Sequence, residues 1–265
     1  MFDRESKLFH TIAPAVIDHV SSQPRGASAV VNHKRRDTDY ATEVDVSVEN
    51  LIVAEIRKQF PDDEILAEEG LSDTSVTEKR IWIIDPICGT NNLGRGIDAF
   101  CTNIALAENK KVIASCVVDH SEGEYYWSIG EQTVHKGREK FTFPVQDKGV
   151  LVDVDLGSVP NLSIEQKARY TRTLQDILTS NDYTLNSLNT SLGYLYVALG
   201  RVDGFFCMYT HPWDYCAGAF LIQESGGIIT GLDGEPWEIV DEKGLIAAID
   251  PDVHASIVKS YTKAG

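Results

Sequence analysis

Several acidic and hydroxyl residues of this 265-residue chain fall where local structure would hold them at the ends of elements. Asp85 follows the apolar run Ile81 to Ile84, and Pro86 after it keeps Asp85 extended rather than helical. Glu68 and Glu69 close a second short run, Ile65-Leu66-Ala67. Asp214 sits where the pattern predicts the N-cap of a helix carrying Cys216, Phe220 and Leu221, and Asp45 lies near the start of another. Carboxylates at strand ends and helix starts suit a site for cations that prefer oxygen ligands, because the scaffold fixes them and leaves one side open. Gly89-Thr90-Asn91-Asn92 comes next after Asp85 and reads as a turn into a helix N-terminus. Amide groups there could hold a phosphate, and the Thr90 hydroxyl could orient a water. Each feature alone has a plainer explanation: a helix cap for Asp214, a capping box with Thr42 for Asp45, a solvated pair for Glu68 and Glu69.

The elements that must position these residues are legible in outline. Leu8, Ile12, Val16 and Val20 recur every four residues and predict a first helix ending near Ser21 to Pro24. Val44, Val48, Leu51, Ile52, Ile56 and Phe60 mark one face of a second, stopped by Pro61. Ile81 to Ile84, Thr102 to Ala107, Val112 to Val118 and Glu124 to Ser128 read as strands joined by turns, which predicts antiparallel hairpins. After a polar stretch around Gly130 to Lys148 the pattern changes to alternating strands and helices, ending in a helix opened by Asp250-Pro251. A soft boundary is expected near residue 145, dividing one compact unit into subdomains 1–145, with most of the metal ligands, and 146–265.

Composition restricts function. A formal net charge of -16, with no basic run, argues against a nucleic-acid partner. An acidic chain that handles phosphate needs cations or backbone donors to offset the repulsion. The stretch Met1 to Val20 has no continuous apolar run of signal or membrane-spanning type, which gives the expectation of a cytoplasmic protein without membrane association. Cys88, Cys101, Cys116, Cys207 and Cys216 are odd in number and lack zinc-finger spacing, as expected of reduced thiols.

Taken together, the segments resemble the inositol monophosphatase family, a group of Mg2+-dependent, lithium-sensitive phosphatases. "ATEVDVSVENLI" at 41–52 is similar to the family's V-T-E-x-D helix start, and "ILAEEG" at 65–70 to its G-E-E segment. "WIIDPICGTNNL" at 82–93 is similar to W-I-I-D-P-I-D-G-T-x-N-F. "ALGRVDGFF" and "HPWDYCAGAFLIQESGG" resemble the last signature and the run before it. Two specific signatures in the right order outweigh any single short match. The resemblance implies a layered αβαβα sandwich, an α+β half with an α/β half, of the inositol monophosphatase and fructose-1,6-bisphosphatase type, as a homodimer. It also implies Mg2+ held by Glu68, Asp85 and the Ile87 carbonyl, a second ion shared by Asp85 and Asp214, and a loosely held third. Thr90, oriented by Asp45, would activate water together with Glu68, while the Gly89 and Thr90 amides hold phosphate. Lys34 matches a family lysine near the metals.

Two positions depart from the family pattern. Cys88 replaces the second aspartate of the D-P-I-D signature, a ligand of the second metal, and a thiol there favours a softer ion such as Mn2+ or Zn2+. Cys207 stands where many relatives carry a glutamate that bonds substrate hydroxyls; its plainer reading is a small apolar filler. The sequence therefore supports a phosphomonoesterase for a small polyol, sugar or nucleotide phosphate. It leaves open an impaired relative that binds a phosphorylated metabolite or partner, and a bisphosphate-hydrolysing member of the superfamily.

Overall fold

The computed structural model describes residues 3–23, 30–36, 39–70, 78–143, 149–180, 183–240 and 243–265, without the side chains of 3, 30–36 and 39–42. The chain opens with α1 (Asp3–Ser21), the hairpin β1 (Val30–Arg36) and β2 (Asp39–Thr42), and α2 (Glu43–Gln59). A seven-stranded sheet follows, built from β3 (Glu64–Ala67), β4 (Ile81–Cys88), β5 (Cys101–Glu108), β6 (Lys111–Asp119), β7 (Glu124–Ser128), β8 (His135–Lys136) and β9 (Glu139–Lys140) in that order. The single turn α3 (Thr90–Leu93) interrupts it after β4. β3 and β4 run parallel, and β4 to β7 form the expected antiparallel hairpins.

The remainder contains β10 (Leu151–Val154), α4 (Ile164–Ser180), β11 (Thr184–Asn186), α5 (Leu192–Ala198), β12 (Gly204–Thr210), α6 (Pro212–Glu224), β13 (Ile228–Gly231), β14 (Lys243–Ala248) and α7 (Pro251–Lys263). Its five-stranded sheet has the order β11-β10-β12-β14-β13, parallel among the first three strands and antiparallel in the rest. The expected boundary near residue 145 falls among residues 144–148, outside the described residues.

Period-2 alternation along the strands assigns the layers. On β4, Trp82 and Ile84 join Leu8, Ile12, Val48 and Ile52 of α1 and α2, while Ile81 and Ile83 face Leu192 and Leu195 of α5 and Leu221 of α6. On β12, Phe205 and Cys207 point to that same middle layer, and Phe206 and Met208 to Tyr170 of α4 and Ile257 of α7. The order is helix, sheet, helix, sheet, helix, the sandwich expected above. Sheets covered on both faces by helices bury their strands throughout, so these strands read as continuous apolar runs.

The strand carrying Asp85 is longer than its apolar run. β4 continues to Cys88, pairing Asp85 with Asn103 and Cys88 with Cys101, so three steps on β4 oppose two on β5. This one-residue bulge falls between Asp85 and Cys88, a stretch in which Pro86 has no N–H to offer the ladder. Without it, residues 85 and 88 would project to opposite faces. With it, Ile87 packs among the α1–α2 side and Cys88 against the middle layer, on the same side as Asp85.

Candidate active site

A pocket of about 210 Å³ opens between the ends of β4 and β12 and the start of α6. Glu68, Asp85, Ile87, Cys88, Gly89, Thr90, Cys207 and Asp214, all singled out in the sequence, line it. Asp45 is buried behind Thr90, whose hydroxyl lies 2.9 Å from Asp45 Oδ1 and 3.0 Å from the Ile87 carbonyl and can donate to either. The side chain of Lys34 lies outside the described residues.

Each group is held by its own local device. The Glu68 N–H donates to the Ile84 carbonyl at 3.2 Å, which ties the end of β3 to β4 beside Asp85. Gly89 adopts a φ of 102°, and a Cβ there would come within 3.0 Å of the Ala99 carbonyl and of Phe100 Cβ, so only glycine fits this turn. Asp214 is not the N-cap of its helix. Pro212 at the first helical position puts the cap at His211, and Asp214 at the third position accepts the His211 N–H at 2.8 Å in a reciprocal capping box. Trp213 stacks on His211, ring centroids 4.7 Å apart, whereas Trp82 packs on the α1–α2 side of β4 against Phe9 and Phe60 and donates from Nε1 to Asp63, away from the pocket.

The electrostatics at the β4 end are unusual. Asp85 is 1% exposed, and neither of its carboxylate oxygens has a hydrogen-bond partner. Burial, and then the proximity of Cys88, Glu68 and Asp214, push its carboxyl well above the usual carboxylate range. Burial also raises Asp214, although the His211 amide offsets part of the effect. Ligand atoms of Asp85, Cys88 and Asp214 all lie within 4.8 Å of one another. Acceptors this close, with a buried carboxylate that receives no donor, are satisfied by a proton or by a cation, and the geometry fits a divalent ion. The donor set includes one thiol among carboxylates, which moves its preference toward softer ions than Mg2+.

Cys88 has partners that the sequence did not foretell. Its Sγ accepts the Ser191 N–H at 3.2 Å and stands 4.0 Å from Asp214 Oδ1, and its carbonyl accepts from Thr190 Oγ1 at 3.0 Å. Contact with the Cys101 thiol across the ladder, followed by burial, pushes the Cys88 thiol up. Cys207 is 3% exposed; its thiol lies 3.1 Å from the Tyr209 carbonyl and 3.4 Å from Asp155 Oδ2. It lines the pocket, so the apolar-filler reading covers only part of its surroundings. Asp155, Ser158, Asn189 and Tyr194 line the same pocket and were missed. They lie in loops or in apolar runs, where only the fold brings them to the site.

Comparison with known proteins agrees with the geometry. A sequence model of the inositol monophosphatase family matches residues 6–264. The inositol-1-monophosphatase of Bacillus subtilis (strain 168) is 28% identical over 244 residues, 92% of this chain and 91% of the relative. The fructose-1,6-bisphosphatase/inositol-1-monophosphatase of Thermotoga maritima is 33% identical over 213 residues, 77% of this chain and 76% of the relative. The crystal structure of the extragenic suppressor protein SuhB from Bartonella henselae shares the fold with a TM-score of 0.84 at 20% identity, covering 97% of this chain and 98% of that one. From its strand-end acids to its paired signatures, this chain belongs to the inositol monophosphatase family.

Proposed function

We propose that this protein is a metal-dependent phosphomonoesterase that hydrolyses a small polyol, sugar or nucleotide phosphate. The observation that carries the reading is Asp85, buried without a donor among Glu68, Cys88 and Asp214, beside the Thr90–Asp45 pair. Glu68, Asp85, the Ile87 carbonyl and Asp214 would hold divalent cations, Mg2+ in the family pattern, with Cys88 drawing the second position toward Mn2+ or Zn2+. Such cations supply positive charge against the phosphate oxygens and lower the pKa of a bound water.

The protein's own groups do the rest. Donation from Thr90 to Asp45 orients the hydroxyl so that its lone pair accepts a hydrogen bond from an attacking water and, as it takes that water's proton, its own passes to Asp45, a role shared with Glu68. The Gly89–Thr90 turn presents backbone amides toward phosphate, and Lys34 adds a positive charge in this reading. A cytoplasmic location and a homodimer belong to the same proposal. Among the described residues no helix is long and apolar enough to cross a membrane.

A second reading rests on Cys88: an impaired relative that retains the pocket to bind a phosphorylated metabolite or partner. A panel of polyol, sugar and nucleotide phosphates, each assayed with Mg2+, Mn2+ and Zn2+, separates the two. Turnover of one ester with any of these ions is the expected result. Binding of phosphate esters without turnover in all three would transfer the case to the second reading.

A further inference from the structure

One face of α2 carries two buried acids, and the site described above uses only one of them. Asp45 and Glu49 lie four residues apart, about one helical turn, and are 0% and 1% exposed. Asp45 pins the turn after β4 by accepting from Thr90. Glu49 reaches the other acid-bearing segment. Its Oε2 accepts the Glu69 N–H at 2.7 Å, two residues past the end of β3 at Ala67. A carboxylate so deeply buried is costly unless it is hydrogen-bonded, whereas an apolar residue beside the core positions Val48 and Ile52 would fill the space without that cost. The acid is accounted for by what it holds.

What it holds is the backbone of Glu68. The Glu68 N–H donates to the Ile84 carbonyl at 3.2 Å, one residue before Asp85, which extends the parallel β3–β4 pairing by one bond. The Glu69 N–H leaves that ladder and turns to α2. Each bond fixes one of the two planar peptide groups that flank the Glu68 Cα. With both planes set, only the side-chain torsions of Glu68 remain to choose, and they serve the pocket that Glu68 and Asp85 line together. Two acids on one wall repel each other, and a loose strand end would let Glu68 swing out to water until a cation drew it back. A fixed end has already lost that freedom, so less is lost when a cation binds.

We propose that Glu49 is a positioning residue for Glu68: through the Glu69 amide it clamps the end of β3 so that the Glu68 carboxylate faces the Asp85 side of the pocket before any cation arrives. The proposal rests on the phosphatase reading, in which Glu68 is a metal ligand, and adds a residue that touches neither metal nor substrate. It gives α2 one task at two places. Asp45 orients the hydroxyl that meets the attacking water, and one turn later Glu49 orients the carboxylate that meets the cations.

The test uses two conservative variants of the full chain. Glu49→Asp keeps the charge but is one methylene shorter, so its carboxylate falls short of the Glu69 N–H; Glu49→Gln loses the charge and keeps an acceptor at the right reach. In the metal-free protein the Glu69 amide should exchange with solvent deuterium about tenfold faster in Glu49→Asp and within about threefold of the parent in Glu49→Gln. Calorimetric titration with Mg2+ or Mn2+ alone should show affinity falling about tenfold in Glu49→Asp and no more than about threefold in Glu49→Gln. In a Glu68→Ala background, Glu49→Asp should cost nothing further, because a residue that acts through Glu68 is silent without it. Equal affinities in the parent and both variants overturn the role, and so does a larger loss in Glu49→Gln, which would assign the effect to charge. Losses that add in the Glu68→Ala background overturn it as well, by assigning them to a general loosening. None of these readouts needs turnover. A parent that binds divalent ions and hydrolyses no ester ends the phosphatase reading while the three measurements still decide the clamp, whereas a parent that binds no divalent ion overturns the clamp itself.

Discussion

Two carboxylates face one pocket from two sheets, and their surroundings are opposite. Asp85, on the bulged β4, is buried among acceptors and receives no donor. Asp155, past the end of β10, is cradled by two backbone N–H groups. The first arrangement destabilises the anion unless positive charge arrives, whereas the second meets each carboxylate oxygen with a backbone donor. A shared residue type therefore reports little about role; the count and kind of hydrogen-bond donors around it report much more.

The sharpest way to break this contrast is Asp85→Asn. If Asp85 anchors the cations, the variant should lose a thousandfold or more in turnover, ~4 kcal/mol of transition-state stabilisation, and bind divalent ions more weakly by calorimetry. The metal-free protein should become no less stable, since the amide brings N–H donors to a cluster of acceptors in which the carboxyl has no partner. Clear destabilisation of the metal-free form would mean that Asp85 is structural.

Asp153 is an intermediate case and sharpens the contrast. It is fully buried; Oδ1 accepts the Leu188 N–H at 3.1 Å, while Oδ2 has no partner. Burial pushes its carboxyl up to about 6, helped by Asp155 and opposed by the Leu188 amide. The folded protein then holds this proton where the unfolded chain has released it. Stability from Asp153 is complete below roughly pH 4 and is lost as pH rises toward about 6, by ~3 kcal/mol. Chemical denaturation across that window should show the slope in the parent and a smaller one in Asp153→Asn. Matching slopes would assign the pH dependence elsewhere.

The smallest expected effect is that of Cys88→Asp, which restores an oxygen ligand at the acceptor-rich end. The apparent Mg2+ requirement should fall by about tenfold, ~1.4 kcal/mol, in both calorimetric titration and turnover, with a matching loss of preference for Zn2+. An unchanged Mg2+ affinity would show that the thiol faces Ser191 rather than the cations.

Much of this site could be read from the sequence because its signals are local. Asp85 ends an apolar run, Pro86 and Gly89 punctuate the turn after it, and the buried strands on either side are short and continuous. The bulge was not readable: Asp85-Pro86 looks like the end of a strand, and only pairing with β5 shows that β4 resumes through Cys88. The true cap of α6 had a signal in His211-Pro212, since proline favours the first helical position, but the acid two residues later drew attention instead. The β1–β2 hairpin, with Lys34-Arg35-Arg36 in its first strand, offers no apolar alternation to detect. Asp155, Ser158 and Tyr194 were invisible for a different reason. Tyr194 sits in an apolar helix that reads as core, and contact between it, β10 and β12 is a product of tertiary packing alone.

The middle helix layer is built at the minimum thickness a polypeptide allows. A methyl group at Gly218 of α6 would come within 2.4 Å of Tyr194 Cβ, and one at Gly193 of α5 within 2.4 Å of the Phe205 ring. Bare backbone therefore sets the gap between the sheets, as a shim sets the clearance of a bearing. Because the acceptor-rich end of the pocket hangs from one sheet and Asp155 from the other, that gap sets the span between the two ends of the pocket. A side chain added at Gly193 or Gly218 would have to push a sheet aside, so the length of the pocket is tuned at lower cost by the side chains at the strand ends.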